Sequence, residues 1–152
     1  MRKLPLIIVS TLVLNFAMGQ SVVTTSYLEL TSISPKAGIS VGVKNYYGIE
    51  YGGFYQESKT IESKFMSEQQ RSELPRIYEK VFWGAYVGFP VVRRQAGEVQ
   101  LNIRTGVVNS EWFVITPSLR GVYNVSRGIK VGGGLGVRAF RPTFQTSISL
   151  SI

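Results

Sequence analysis

Residues 98–108 read EVQLNIRTGVV, and residues 143–152 read TFQTSISLSI. In the first, Val99, Leu101, Ile103, Thr105 and Val107 share one parity, while Glu98, Gln100, Asn102, Arg104 and Gly106 take the other. In the second, Phe144, Thr146, Ile148, Leu150 and Ile152 alternate with Gln145, Ser147, Ser149 and Ser151. Side chains leave a strand on alternate faces, so such a pattern predicts strands lying between two different environments.

Working outward, the same rhythm recurs. Segment 128–139 sets Ile129, Val131, Leu135, Val137 and Ala139 against Lys130, Gly132, Gly134, Gly136 and Arg138. Segment 111–124 sets Phe113, Ile115, Leu119 and Tyr123 against Thr116, Ser118 and Arg120. Segment 79–91 sets Val81, Trp83, Ala85, Val87, Phe89 and Val91 against Lys80, Gly84 and Gly88. Segments 36–44 and 47–56 follow the pattern less tightly, and 22–33 follows it least. About eight strands result. Asn109-Ser110, Ser126-Arg127-Gly128 and Arg141-Pro142 supply turn residues between them. Pro117 falls inside a strand, where it removes a ladder hydrogen bond, so a bulge or irregular pairing is expected there. The stretch 57–77 is polar and without strand period; Ile61, Phe65 and Met66 give it a faint helical face, and it reads as a solvated loop or short surface helix.

The second parity decides what kind of barrel this is. A soluble barrel shows that parity to water and loads it with Lys and Glu. Here it carries mostly Gly, Ser, Gln, Asn and Thr, which suits a crowded polar lumen. Segments of about ten residues, tilted, cross a hydrocarbon layer. Tyr47, Phe89, Phe113, Tyr123 and Phe144 fall near strand ends on the apolar parity, as interfacial girdles require. The charges Arg104, Arg120 and Arg138 would then point into the lumen, with Glu50 or Glu98 to offset them.

Composition narrows the function. Charged residues are 17% of the 152, below the roughly 25% usual for soluble domains. There is no Cys, no His and no Asp, so the usual transition-metal sites and nucleophile–base relays lack their parts, and no catalytic, cofactor-binding or metal-ligating residue is expected. The net charge of +8 does not imply nucleic acid: past the N-terminus only Arg93-Arg94 are adjacent basic residues, and no basic face forms. Residues 1–19 have a positive start (Arg2, Lys3), an apolar run from Leu4 to Phe16, and Ala17-Met18-Gly19 with small residues at the −3 and −1 positions. They are expected to be a cleaved signal peptide, leaving residues 20–152 as one β-barrel domain.

An apolar N-terminal leader, about eight amphipathic strands and a final strand at the C-terminus together resemble the small outer-membrane barrels of the OmpA and OmpX type. The resemblance implies an all-β, antiparallel up-and-down barrel, with outer-membrane lipid and the barrel-assembly machinery as its partners and an outer-membrane location. Members commonly end in an aromatic residue, whereas this chain ends in Ile152. Two functions follow: a non-enzymatic structural, adhesive or accessory barrel, with an envelope protein as a further partner, or a soluble periplasmic or secreted barrel that binds an apolar ligand inside.

Overall fold

A computed structural model describes residues 21–31, 35–58 and 80–152. The expected signal peptide and most of the 57–77 connection lie outside the described residues. Eight antiparallel strands form one sheet: β1 (Ser21–Thr31), β2 (Pro35–Lys44), β3 (Glu50–Ser58), β4 (Val81–Arg94), β5 (Gly97–Val108), β6 (Trp112–Ser126), β7 (Ile129–Arg138) and β8 (Arg141–Ser151). Each pairs with the next, and β8 returns to β1, so the sheet is a closed up-and-down barrel. The least periodic segment is therefore the closing strand. β1 pairs with β2 from Ser21↔Lys44 to Leu30↔Pro35 and with β8 from Val23↔Ser151 to Thr31↔Thr143. Its alternation is blurred because polar and apolar residues stand on both faces: Val23, Thr25, Tyr27 and Glu29 are buried, while Ser26, Leu28 and Leu30 are exposed.

The barrel is inside-out relative to a soluble one. Leu30, Ile115, Leu119, Leu135, Ile148 and Leu150 stand on its outer wall, Leu135 at 67% exposure. Among the described strand residues, outward charges occur only at strand ends, at Glu57 and Arg94; the exposed Arg93 and Arg141 stand at the rims on the inward parity, opposite Glu98 and Arg138. Strands of 9 to 15 residues are long enough to cross a bilayer when tilted. Exposed aromatics gather at both rims. Tyr46, Tyr47, Phe89 and Tyr123 mark the end that carries the C-terminus, and Trp112, Phe113 and Phe140 the other.

Three local readings are corrected. The β7–β8 turn is not Arg141-Pro142 but Ala139-Phe140, closed by the pair Arg138↔Arg141. Both turn residues have positive φ (46° and 64°), as do Asn109 (52°) and Ser110 (62°) in the β5–β6 turn. Two successive left-handed residues match the strand twist, but Ala and Phe pay a steric cost there that Asn and Gly avoid. Pro117 causes no bulge, since it pairs in register with Ile103, but the irregular pairing expected there is found: the β6–β7 ladder begins one residue later at Ser118↔Gly136 although β7 runs on to Arg138. The bulges lie instead at Pro90/Val92 and Asn124/Ser126. Tyr47 and Ile49, expected in a strand, fall in the β2–β3 turn, where Asn45 Oδ1 accepts from the Ile49 N–H at 2.9 Å.

The inner wall is not purely polar either. Phe54, Phe82, Tyr86 and Val108 form a buried apolar cluster inside the lumen, with Phe54 and Phe82 edge to face at 4.7 Å. Glycine makes room for the inward tyrosines. A Cβ on Gly38 would come 2.5 Å from the Tyr27 ring, and one on Gly42 would come 2.3 Å from the Tyr86 hydroxyl.

Candidate functional site: the charged lumen

Closure aligns inward residues of successive strands into rows. One row runs Lys36, Glu29, Gln145, Gly134, Arg120, Gln100, each opposite the next in register. Two inward positions further along β5 and β6, past Asn102 and Ser118, a second row adds Tyr86, Arg104 and Thr116, also in register. Ionised side chains are thereby forced together in a space without water access, where each must be paired to be tolerated.

Glu29 is the hub, and it is 0% exposed. One carboxylate oxygen, Oε1, accepts from Arg138 Nη2 at 2.5 Å and from Gln56 Nε2 at 3.2 Å. The other, Oε2, accepts from Arg104 Nη2 and from Gln145 Nε2. Gln56 turns its own oxygen back to Arg138 Nη2 at 3.2 Å, and Thr116 Oγ1 accepts from Arg138 Nε at 3.1 Å. Aromatic faces flank the cations: the Arg138 guanidinium lies 4.4 Å from the Phe82 ring centre, and that of Arg104 lies 5.2 Å from Tyr27. This charge-assisted network joins β1, β3, β5, β6, β7 and β8 across the barrel axis.

The five lumen charges expected from sequence are placed as follows. Arg104, Arg120, Arg138 and Glu50 are buried in the interior. Glu98 lies at the terminus-bearing mouth, where Lys44 pairs with it, and Arg93 Nε and Lys130 Nζ both stand 3.6 Å from its carboxylate. The expected pairing is corrected in part: neither Glu50 nor Glu98 makes a close ion pair with Arg104, Arg120 or Arg138, but the charge of Glu50 does act to offset Arg120. Arg104 and Arg138 share Glu29, Glu50 accepts the Tyr86 hydroxyl at 2.8 Å, and Arg120 donates to Ser147 Oγ at 3.0 Å. Glu29 was missed because it sits on the weakest strand. Its signal was its parity, since Glu29 shares a face with Tyr27 and Thr25 rather than with Leu28 and Leu30.

Two concavities lie away from this network. The terminus-bearing mouth opens into a cavity of about 240 Å³ lined by Lys44, Arg93, Arg94, Glu98, Asn124 and Lys130. A shallow apolar groove of about 610 Å³ runs along the outer wall, where Val99, Gly121 and Gly133 stand in one register row beside Tyr123 and Val131. The lumen itself is packed with side chains, as the small diameter of an eight-stranded barrel dictates.

These features define a closed eight-stranded antiparallel barrel with an apolar outside and a polar inside. Two de novo designed transmembrane β-barrels share the fold. One, a solution NMR structure of the design TMB2.3, superimposes with a TM-score of 0.65 at 10% identity, over 87% of this chain and 94% of the design. The other superimposes with a TM-score of 0.57 at 9% identity, over 87% and 95%. The crystal structure of Neisserial surface protein A aligns over 88% of this chain and 94% of its own with a TM-score of 0.43 and 10% identity. No protein-family model and no curated sequence matches the chain.

Proposed function

We propose that the protein is a non-enzymatic barrel of a bacterial outer membrane, serving as a structural, adhesive or accessory component of the envelope. The observation that carries this reading is the distribution of charge. Uncharged apolar side chains cover the outer wall between the strand ends, while Glu29, Arg104 and Arg138 are buried at the centre. In water such a wall would be a large exposed apolar surface, which soluble monomers avoid; in lipid it is the favourable one. The soluble alternative, a barrel enclosing an apolar ligand, is opposed by the same arrangement, because the middle of the lumen is ionic and filled.

A catalytic role lacks its usual groups, since the sequence has no His, Cys or Asp. Outer-membrane lipid and the assembly machinery are the partners this reading requires, and an envelope protein could seat on either rim. By the orientation common to such barrels, the C-terminus and the turns near Asn45, Gln95 and Arg127 face the periplasm, and the turns at Asn109 and Phe140 face outward.

The chain contains no cysteine, so single cysteines report position cleanly. With Glu111→Cys and Arg127→Cys variants expressed in Gram-negative cells, an impermeant maleimide should label Glu111→Cys on intact cells and Arg127→Cys only after lysis. Labelling of neither position before lysis would remove the surface location, and the reverse pattern would invert the orientation.

A further inference from the structure

The apolar groove on the outer wall and the charged mouth at the C-terminal end share a border. Arg94, Gly97 and Glu98 line both. Register explains why the two meet. Arg94, Gly97, Tyr123 and Val131 stand in one outward row, and Val92, Val99, Gly121 and Gly133 in the next row toward the middle of the wall. Leu101, Leu119 and Leu135 form the row beyond, all exposed. With no side chain at Gly121 or Gly133, the middle row is recessed between two rows of bulky ones. Packing within the barrel does not demand this recess. A Cβ on Gly121 would meet no atom nearer than 3.9 Å, one on Gly133 none nearer than 3.6 Å, and neither residue has positive φ.

The border of the groove is cationic. Lys44, Arg93, Arg94 and Lys130 line the mouth against a single carboxylate, Glu98. Glu98 pairs with Lys44, and Arg93 and Lys130 stand 3.6 Å from it. Arg94 is exposed and has no ion-pair partner among the described residues. An apolar cleft of about 610 Å³ that ends at an excess of positive charge, beside the rim aromatic Tyr123, fits an amphiphile with a hydrocarbon chain and an anionic head. Apolar wall alone does not choose between lipids. Cations near the membrane surface do, by about fivefold each in favour of an anionic headgroup.

We propose that this groove holds one anionic phospholipid, with an acyl chain over Gly121 and Gly133 and the phosphate on Arg94, backed by the other cations of the mouth. The inference rests on the outer wall meeting lipid and adds which lipid is retained and where.

Two measurements on the full barrel test it in sequence. Refolded into phosphatidylcholine vesicles, the barrel should float with them on a density gradient. In detergent micelles titrated separately with phosphatidylglycerol and phosphatidylcholine, native mass spectrometry should then show one lipid per barrel, phosphatidylglycerol half-saturating at about a tenfold lower concentration. Arg94→Gln should weaken phosphatidylglycerol about fivefold and leave phosphatidylcholine unchanged. Gly121→Leu fills the recess from the outside and should weaken both lipids. Both substitutions lie on the exposed wall, where folding tolerates them. A barrel that floats but binds the two lipids alike, an Arg94→Gln variant with wild-type preference, or a Gly121→Leu variant with wild-type affinity would each overturn the proposal. Barrel dimers in place of lipid adducts would do so too, by assigning the groove to a second copy. A barrel that fails to float would remove the membrane reading itself, and this proposal with it.

Discussion

Replacing Glu29 by Gln changes almost no volume but removes the one carboxylate that Arg104 and Arg138 share. Both guanidiniums then remain buried, at 4% and 2% exposure, without the carboxylate they share. Removing one partner of a buried ion pair costs about 3–5 kcal/mol, and here two cations lose the same partner. We expect a loss of at least about 3 kcal/mol, roughly a hundredfold or more in the folding constant. The assay is urea unfolding in detergent micelles, followed by the fluorescence of Trp83 and Trp112. Glu57→Gln is the control, because Glu57 faces outward near a strand end; it should stay within about 0.5 kcal/mol of wild type. Replacing Glu29, Arg104 and Arg138 together by Met should recover much of the loss, since well-packed apolar groups often match a buried ionic cluster. A Glu29→Gln barrel that unfolds within about 0.5 kcal/mol of wild type would refute the claim that this network carries stability.

Three further outcomes follow from the same geometry. Ile103→Arg, on the outer wall midway along β5, should cost about 2–4 kcal/mol when the barrel is refolded into lipid vesicles, measured by unfolding from those vesicles; a neutral effect would place that wall out of the bilayer. Gly38→Ala should cost about 1–3 kcal/mol by urea titration, because its Cβ would meet the Tyr27 ring at 2.5 Å, and the penalty should vanish in a Tyr27→Ala background. Changing Ala139-Phe140 to Asn-Gly should raise stability by about 1 kcal/mol, since both positions have positive φ; unchanged or lowered stability in the same titration would show that the turn is not strained.

The strands with one uninterrupted apolar parity, β5 and β8 above all, were legible from alternation alone, and so was the inward direction of Arg104, Arg120 and Arg138. Three features were not, each for a physical reason. β1 places Tyr27 and Val23 inside and Ser26 outside, so its hydropathy reports neither face, and the hub Glu29 went unnoticed with it. Phe54, Phe82 and Tyr86 stand on the polar parity because a lumen this narrow is filled by volume as well as by charge, with Gly42 and its neighbours yielding the space. The Ala139-Phe140 turn was hidden because neither residue is a usual turn former, while Arg141-Pro142 beside it looks like one; strand register, fixed by the inward Arg138 and Thr143, overrides local preference. Pairing between charges on distant strands depends on how the barrel closes, which a linear pattern does not encode. That is why the Arg104 and Arg138 partner proved to be Glu29 rather than Glu50 or Glu98.

The central claim is that the apolar face meets lipid and the polar face meets the sealed lumen, and β8 tests it residue by residue. Single cysteines at positions 143 to 150 would carry a nitroxide label in barrels refolded into lipid vesicles, with collision rates measured by electron paramagnetic resonance against oxygen, which concentrates in lipid, and against a water-soluble nickel chelate. Labels at Phe144, Thr146, Ile148 and Leu150 should meet oxygen and not nickel, while those at Thr143, Gln145, Ser147 and Ser149 should meet little of either, giving a period of two. Nickel contact at Phe144, Ile148 and Leu150 to the level of an exposed turn such as Arg127 would put water on the outer wall and contradict the account.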